Sequence, residues 1–174
     1  MTDADKINVI IESLKANALG DIKRASNGGS KMGAFILCSC LIDAMAGFVK
    51  GADTTRTDYI NFVSNYLTKY DPNSLYTDLR CKLVHSYSEG GSYLFVDAKP
   101  HLHFTQQNTK TIINLENFID DIEQSLETLK SKLTDITETG LRQNAVTRFD
   151  SNGIIQVFTI NFSITSHPAS GSNC

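Results

Sequence analysis

The chain has 174 residues, 41% of them hydrophobic and 20% charged, with a net charge of −3; such numbers suit one globular domain able to bury a core. They exclude a broad, sequence-independent nucleic-acid face, which needs a basic excess to neutralise phosphates, so any RNA contact is expected to be local. The acidic start MTDADKINVI lacks a signal-peptide core, and the densest apolar run, Ala34 to Val49, is interrupted by Ser39, Asp43 and Gly47 and reads as a buried helix, not a membrane span. The expected setting is cytoplasmic, with no membrane partner.

Ile7, Ile10, Ile11, Leu14, Ala18, Ile22 and Ala25 recur at helical period across residues 3–26, and Asn27-Gly28-Gly29 stops that helix. Ser30 is placed to cap a second helix that runs to about Lys50 and ends at Gly51. This helix is apolar on nearly every face (Phe35, Ile36, Leu37, Leu41, Ile42, Met45, Phe48) and is predicted to be central. Asp43, its one acidic interior residue, needs a partner there. Cys38 and Cys40 read as small core residues, and the four cysteines, with Cys81 and Cys174, match no zinc spacing.

Thr55 is set to cap a third helix through the amide of Asp58, with Tyr59, Val63, Tyr66, Leu67 and Tyr70 as its apolar stripe. Asp71-Pro72 reads as cap and first-turn proline of a fourth helix reaching about Ser86. Beyond Glu89-Gly90-Gly91, SYLFVD and HLHFT alternate around Asp97–Pro100 and predict a β-hairpin, with 111–113 as a further short strand. Asn114 is the expected cap of the last long helix, with Ile113 and Phe118 as a hydrophobic staple. A break is expected near Thr139-Gly140, then a helix from Leu141 to Asn152. From Ile154 to Thr165, Phe158, Ile160, Phe162 and Ile164 share one face at period two, which predicts a strand in need of a partner; the last residues, SHPASGSNC, read as disordered. The expected organisation is a helical domain over 1–153, an insertion at about 92–113, and a strand and tail over 154–174.

The fourth helix carries LRCKLVHSYS. On an ideal α-helix, residues five apart are rotated by roughly 140°, so Arg80 and His85 share a face only if the helix loosens. Their chemistries complement each other: a guanidinium binds phosphate bidentately, and an imidazole moves protons near neutral pH. Metal-free RNA cleavage needs both, with a cation at the developing phosphorane charge. The competing reading is structural, with Arg80 pairing Asp43 and His85 favouring the helix C-terminus. Ser86, Tyr87, Ser88 and Glu89 stand where they would line a cleft beside His85, and a plain helix-ending turn explains them equally well. His101 and His103 would share one strand face, a geometry with no evident third metal ligand.

The run from Gly33 to Tyr93, with GAFILCSCLIDAMAGF and DPNSLYTDLRCKLVHSYSEGGSY, resembles the HEPN superfamily of helical domains, and the likeness extends to NLENFIDDIE. The nearest likeness is to small bacterial members. Their shared mark is an arginine, four to six residues and a histidine near the end of the last core helix, which Arg80 and His85 satisfy. The resemblance implies a mainly α, antiparallel helical bundle that forms a homodimer and joins two arginine–histidine pairs in one cleft. Active members are metal-independent endoribonucleases that need no cofactor, often toxins or defence effectors, so RNA and an antitoxin or other protein partner are the implied ligands. Cys81 departs from the polar residue that usually follows the arginine in active families; a non-catalytic RNA- or protein-binding module, with Arg80 and His85 structural, is the alternative implication.

Overall fold

The computed structural model of the chain describes residues 1–88 and 91–154; the strand expected to follow Ile154 and the position of Glu89 lie outside them. The protein is mainly helical with a small three-stranded sheet. Thr2 opens α1 (Asp3–Ser13) with a capping box closed by Asp5. A π-helical turn, Leu14–Leu19, leads into α2 (Gly20–Asn27), so the predicted first helix is continuous but wound more widely in its middle. Ile7, Ile10, Ile11, Leu14 and Ile22 are buried as the periodicity requires.

Helix α3 (Lys31–Lys50) is the core of the domain and packs against α2, α4, α7, α8 and the fourth-helix region. Ser30 occupies its N-cap position without making the expected side-chain bond, while Gly51 ends it in the left-handed conformation (φ +86°) that a Cβ disfavours. Among the described residues α3 alone is long and apolar enough to cross a membrane, and 56% of its apolar window is buried inside the fold, as befits a core helix. Thr55 and Asp58 form the anticipated capping box of α4 (Arg56–Tyr66); Leu67 and Tyr70 are buried just past its end.

The β region differs from the hairpin expectation. Strand β1 (Tyr93–Val96) pairs in parallel with β3 (Lys110–Asn114), in the register Tyr93↔Thr111 to Val96↔Asn114, and β2 (Gln106–Gln107) runs antiparallel to β3. Residues 101–105 are not a strand: Pro100 starts a 3₁₀ turn, Pro100–Leu102. The connection from β1 to β3 is thus long enough for the crossover a parallel pair requires. Asn114 then caps α7 (Leu115–Thr134) through the amide of Asn117, with Ile113 and Phe118 fully buried as a staple. The break comes at residues 135–138, before Thr139-Gly140, because α8 (Thr139–Asn152) already includes them.

A buried polar knot holds the sheet to α7. The Asn114 amide donates to His103 Nδ1 at 3.1 Å, and Nε2 faces the Tyr70 hydroxyl at 3.3 Å and Asp121 Oδ2 at 3.6 Å. Tyr70 donates to the same carboxylate at 2.8 Å, and Lys69 pairs with it at 2.6 Å. Burial pulls the His103 pKa below its ordinary value despite the nearby Asp121; a proton on Nδ1 would also displace the Asn114 amide. His103 is therefore neutral in the fold and binds a proton more readily when unfolded. Its contribution is complete above the unfolded value near 6.5 and is lost as pH falls below it. Thermal melts should show Tm falling between pH 7.5 and 5.5, and His103→Gln should reduce that fall while costing about 1 kcal/mol at pH 7.5. An unchanged pH profile in the variant would contradict this account.

Candidate functional site

Asp71 caps the fourth helical region by accepting the Ser74 amide at 2.7 Å, with Pro72 in the first turn. After the short α5 (Pro72–Ser74) the backbone widens into a π-helix, Leu75–Leu83, and closes with α6 (Val84–Ser86). Leu75, Leu79 and Leu83 are buried in the core, each worth roughly 1.5–3 kcal/mol. Between them Asp78, also buried, accepts the amides of Gly91, Ser92 and Tyr93 at 3.1, 2.7 and 3.1 Å. The segment is thereby tied to α3 on one side and to the start of β1 on the other.

The wide winding solves the facing problem posed by the spacing. A π-helix closes i→i+5 hydrogen bonds and turns less per residue than an α-helix. Arg80 lies in that segment and His85 just past it in α6, so the rotation between them is smaller than a regular α-helix would give. Arg80 Nη1 stands 2.7 Å from His85 Nε2. The same guanidinium reaches across to α3, with Nε and Nη2 each 3.1 Å from Asp43 Oδ2. Both readings of the pair are thus physically realised: Arg80 satisfies the half-buried Asp43 and meets His85 at the surface. Because a guanidinium only donates, Nε2 is the acceptor and the imidazole carries its proton on Nδ1.

Other groups surround the guanidinium. Cys40 is exposed, unlike Cys38, and is not the core residue the sequence suggested. Desolvation by its surroundings still raises its thiol pKa, an effect partly opposed by Arg80 and reinforced by Asp43, so it is not a ready nucleophile. Beneath lie the fully buried Ser39 and Tyr59; burial drives the Tyr59 phenol well up. Cys81, half-buried, lies beside the hydroxyl of Tyr76. Tyr76 packs edge-on to Tyr59 with ring centroids 5.4 Å apart and carries the Arg56 guanidinium 5.5 Å above its ring.

Asp43, Arg80 and His85 form one connected set, with Cys81 on its margin. Tyr87 is not part of it. That residue takes a left-handed conformation (φ +47°), is highly exposed, and lines a shallow cavity of about 140 Å³ with Met32, Leu83, Leu94 and Phe95. His101 is exposed and His103 belongs to the knot below α7, so the two do not share a strand face. No cluster of three or more His, Cys, Asp or Glu side chains suited to a metal exists among the described residues. From the sequence Arg56 reads as a scattered, solvated charge and Tyr76 as a core and interface residue, and nothing singles out Asp78. The i,i+4 spacing of Tyr76 and Arg80 was an available signal; the approach of Arg56 from another helix was not.

The fold and the site define a mainly helical domain that presents a carboxylate-anchored arginine–histidine pair at its surface. Comparisons with protein-family models, with curated proteins and with solved structures return no match for the chain.

If Asp43 holds Arg80, the two residues are energetically coupled. Chemical denaturation of Asp43→Ala, Arg80→Ala and the double variant should give a coupling energy of about 0.5–1 kcal/mol. Strict additivity would contradict the anchoring role.

Proposed function

We propose that this domain is a HEPN-like, metal-independent endoribonuclease that acts as a homodimer, with Arg80 and His85 as its catalytic residues. The observation that carries the reading is the 2.7 Å contact of Arg80 Nη1 with His85 Nε2. An unprotonated imidazole nitrogen and a guanidinium in direct contact are the two groups that metal-free cleavage of RNA demands. The local character of this cationic spot also suits a chain of net charge −3.

The chemistry follows from the donor inventory. A phosphodiester competes with His85 for Arg80, whose Nη groups then donate to the non-bridging oxygens while Asp43 keeps the guanidinium in place. That exchange uncaps Nε2, which takes the proton of the ribose 2′-hydroxyl. The 2′-oxygen attacks phosphorus, the bond to the 5′-oxygen breaks, and a 2′,3′-cyclic phosphate remains. The leaving 5′-oxygen needs a proton, which His85, now an imidazolium holding the proton of the 2′-hydroxyl, returns to it, and Arg80 carries the negative charge that develops between these steps.

A second reading has its own support. Arg80 is already satisfied by Asp43 and is followed by Cys81, so a binding module that recognises RNA or a protein partner, an antitoxin among them, uses the same surface without chemistry.

The readings part on one assay. Incubated with mixed cellular RNA, the wild type should produce fragments ending in 2′,3′-cyclic phosphate, unaffected by EDTA. His85→Ala should lose at least about 100-fold in rate, the scale of a general base. Arg80→Lys should also fail, because an ammonium lacks the bidentate fork. Equal background degradation by wild type and His85→Ala would leave the binding module as the function.

A further inference from the structure

Arg56 is placed at a cost that the fold does not explain. It is the first residue of α4, where the positive end of the helix dipole disfavours a cation. The neighbouring carboxylate, Asp58, is engaged by Lys50 at 2.6 Å and by the Thr55 cap. Arg56 has no carboxylate partner among the described residues; its polar contact is a long one, 3.4 Å from Nη2 to Asn73 Oδ1. What fixes it is the Tyr76 ring, over which the guanidinium lies at 5.5 Å, a cation–π contact worth about 0.5–1 kcal/mol at an exposed position.

Tyr76 also links this second cation to the first. It precedes Arg80 by one turn, its hydroxyl adjoins Cys81, and its ring is braced by Tyr59. Burial and the Cys81 contact raise the Tyr76 pKa, and Arg80 and Arg56 both pull against that rise. The two guanidiniums thus act on a single phenol. Arg56, Tyr76, Arg80 and His85 are each exposed or half-buried. They are linked in turn by the Arg56–Tyr76 ring contact, the influence of Arg80 on the same phenol and the Arg80–His85 contact, on a domain that is acidic overall.

We propose that Arg56, backed by Tyr76, is a second phosphate subsite, which takes the phosphate next to the one held at Arg80 and so selects a single-stranded oligoribonucleotide over a dinucleotide. The inference rests on the reading of Arg80 and His85 as an RNA site. A single strand suits it because unstacked nucleotides bend to place adjacent phosphates on two guanidiniums, and because an exposed guanidinium plane also receives a base. Asp43 limits Arg80 to local work, so length preference falls to Arg56.

The test measures binding of a single-stranded, fully 2′-O-methylated oligoribonucleotide, which cannot be cleaved, over a range of salt. Alongside it, cleavage of an unmodified oligoribonucleotide is compared with that of a dinucleoside monophosphate, which has no neighbouring phosphate. Arg56→Ala should reduce the slope of log K against log salt by about 0.7, the loss of one single-strand phosphate contact. It should lower kcat/KM on the oligonucleotide roughly tenfold and leave the dinucleoside monophosphate unchanged. Arg56→Lys should retain the slope, and circular dichroism should show both variants folded. An unchanged salt slope in Arg56→Ala overturns the subsite, as does a wild type that binds no oligonucleotide. A reduced slope with His85→Ala cleaving as well as wild type would remove the nuclease reading and leave Arg56 as an RNA contact.

Discussion

The π winding of Leu75–Leu83 is the constraint on which the surface chemistry depends. A regular α-helix through these residues would turn His85 away from Arg80. The wider winding up to Leu83 reduces the rotation between Arg80 and His85, which follows in α6, and the long arginine side chain meets the imidazole at 2.7 Å. Wide winding is rare because it opens the helix axis and loses dispersion contacts. Here it is held by core leucines along its length and by the Asp78 carboxylate, which collects three amides at the entrance to β1.

Those two restraints give the segment a rigid back and a usable front. The apolar side locks it to α3, and α3 returns Asp43 to the guanidinium. Arg80 is thus held by a carboxylate along its Nε–Nη2 edge and meets His85 through Nη1. A long side chain that is pre-set in this way loses little entropy on meeting a phosphate. The small sheet serves the same end, since β1 presents the amides that Asp78 needs and the His103 knot joins β3 to α7.

Much of the helical frame was legible in the chain. The capping box at Thr55, the proline after Asp71 and the glycine after Lys50 mark real boundaries because each suits a helix end locally. The strand pairing was not legible. SYLFVD and HLHFT alternate, but period two does not tell a strand from an irregular turn whose histidine is captured by a distant carboxylate and amide. Arg80, His85 and Asp43 were legible as candidates from residue type. The Arg80–Asp43 pair was legible too, as the partner a carboxylate on an apolar helix needs; the Arg80–His85 contact was not, because it depends on a backbone winding that tertiary restraints impose. Arg56 and Tyr76 come together from separate elements and leave no spacing to read.

The central claim is that Arg80, anchored by Asp43, caps the Nε2 lone pair of His85 until a phosphodiester takes its place. Long-range ¹H–¹⁵N correlation spectra of the His85 ring test it directly, recorded without ligand and during titration with an oligoribonucleotide carrying 2′-deoxy substitutions that block cleavage. The account predicts the Nδ1–H tautomer in the free protein and a saturable change in the Nε2 shift as Arg80 is drawn away, absent in Arg80→Ala. A ring protonated on Nε2, or one that does not respond to the oligonucleotide, would contradict it.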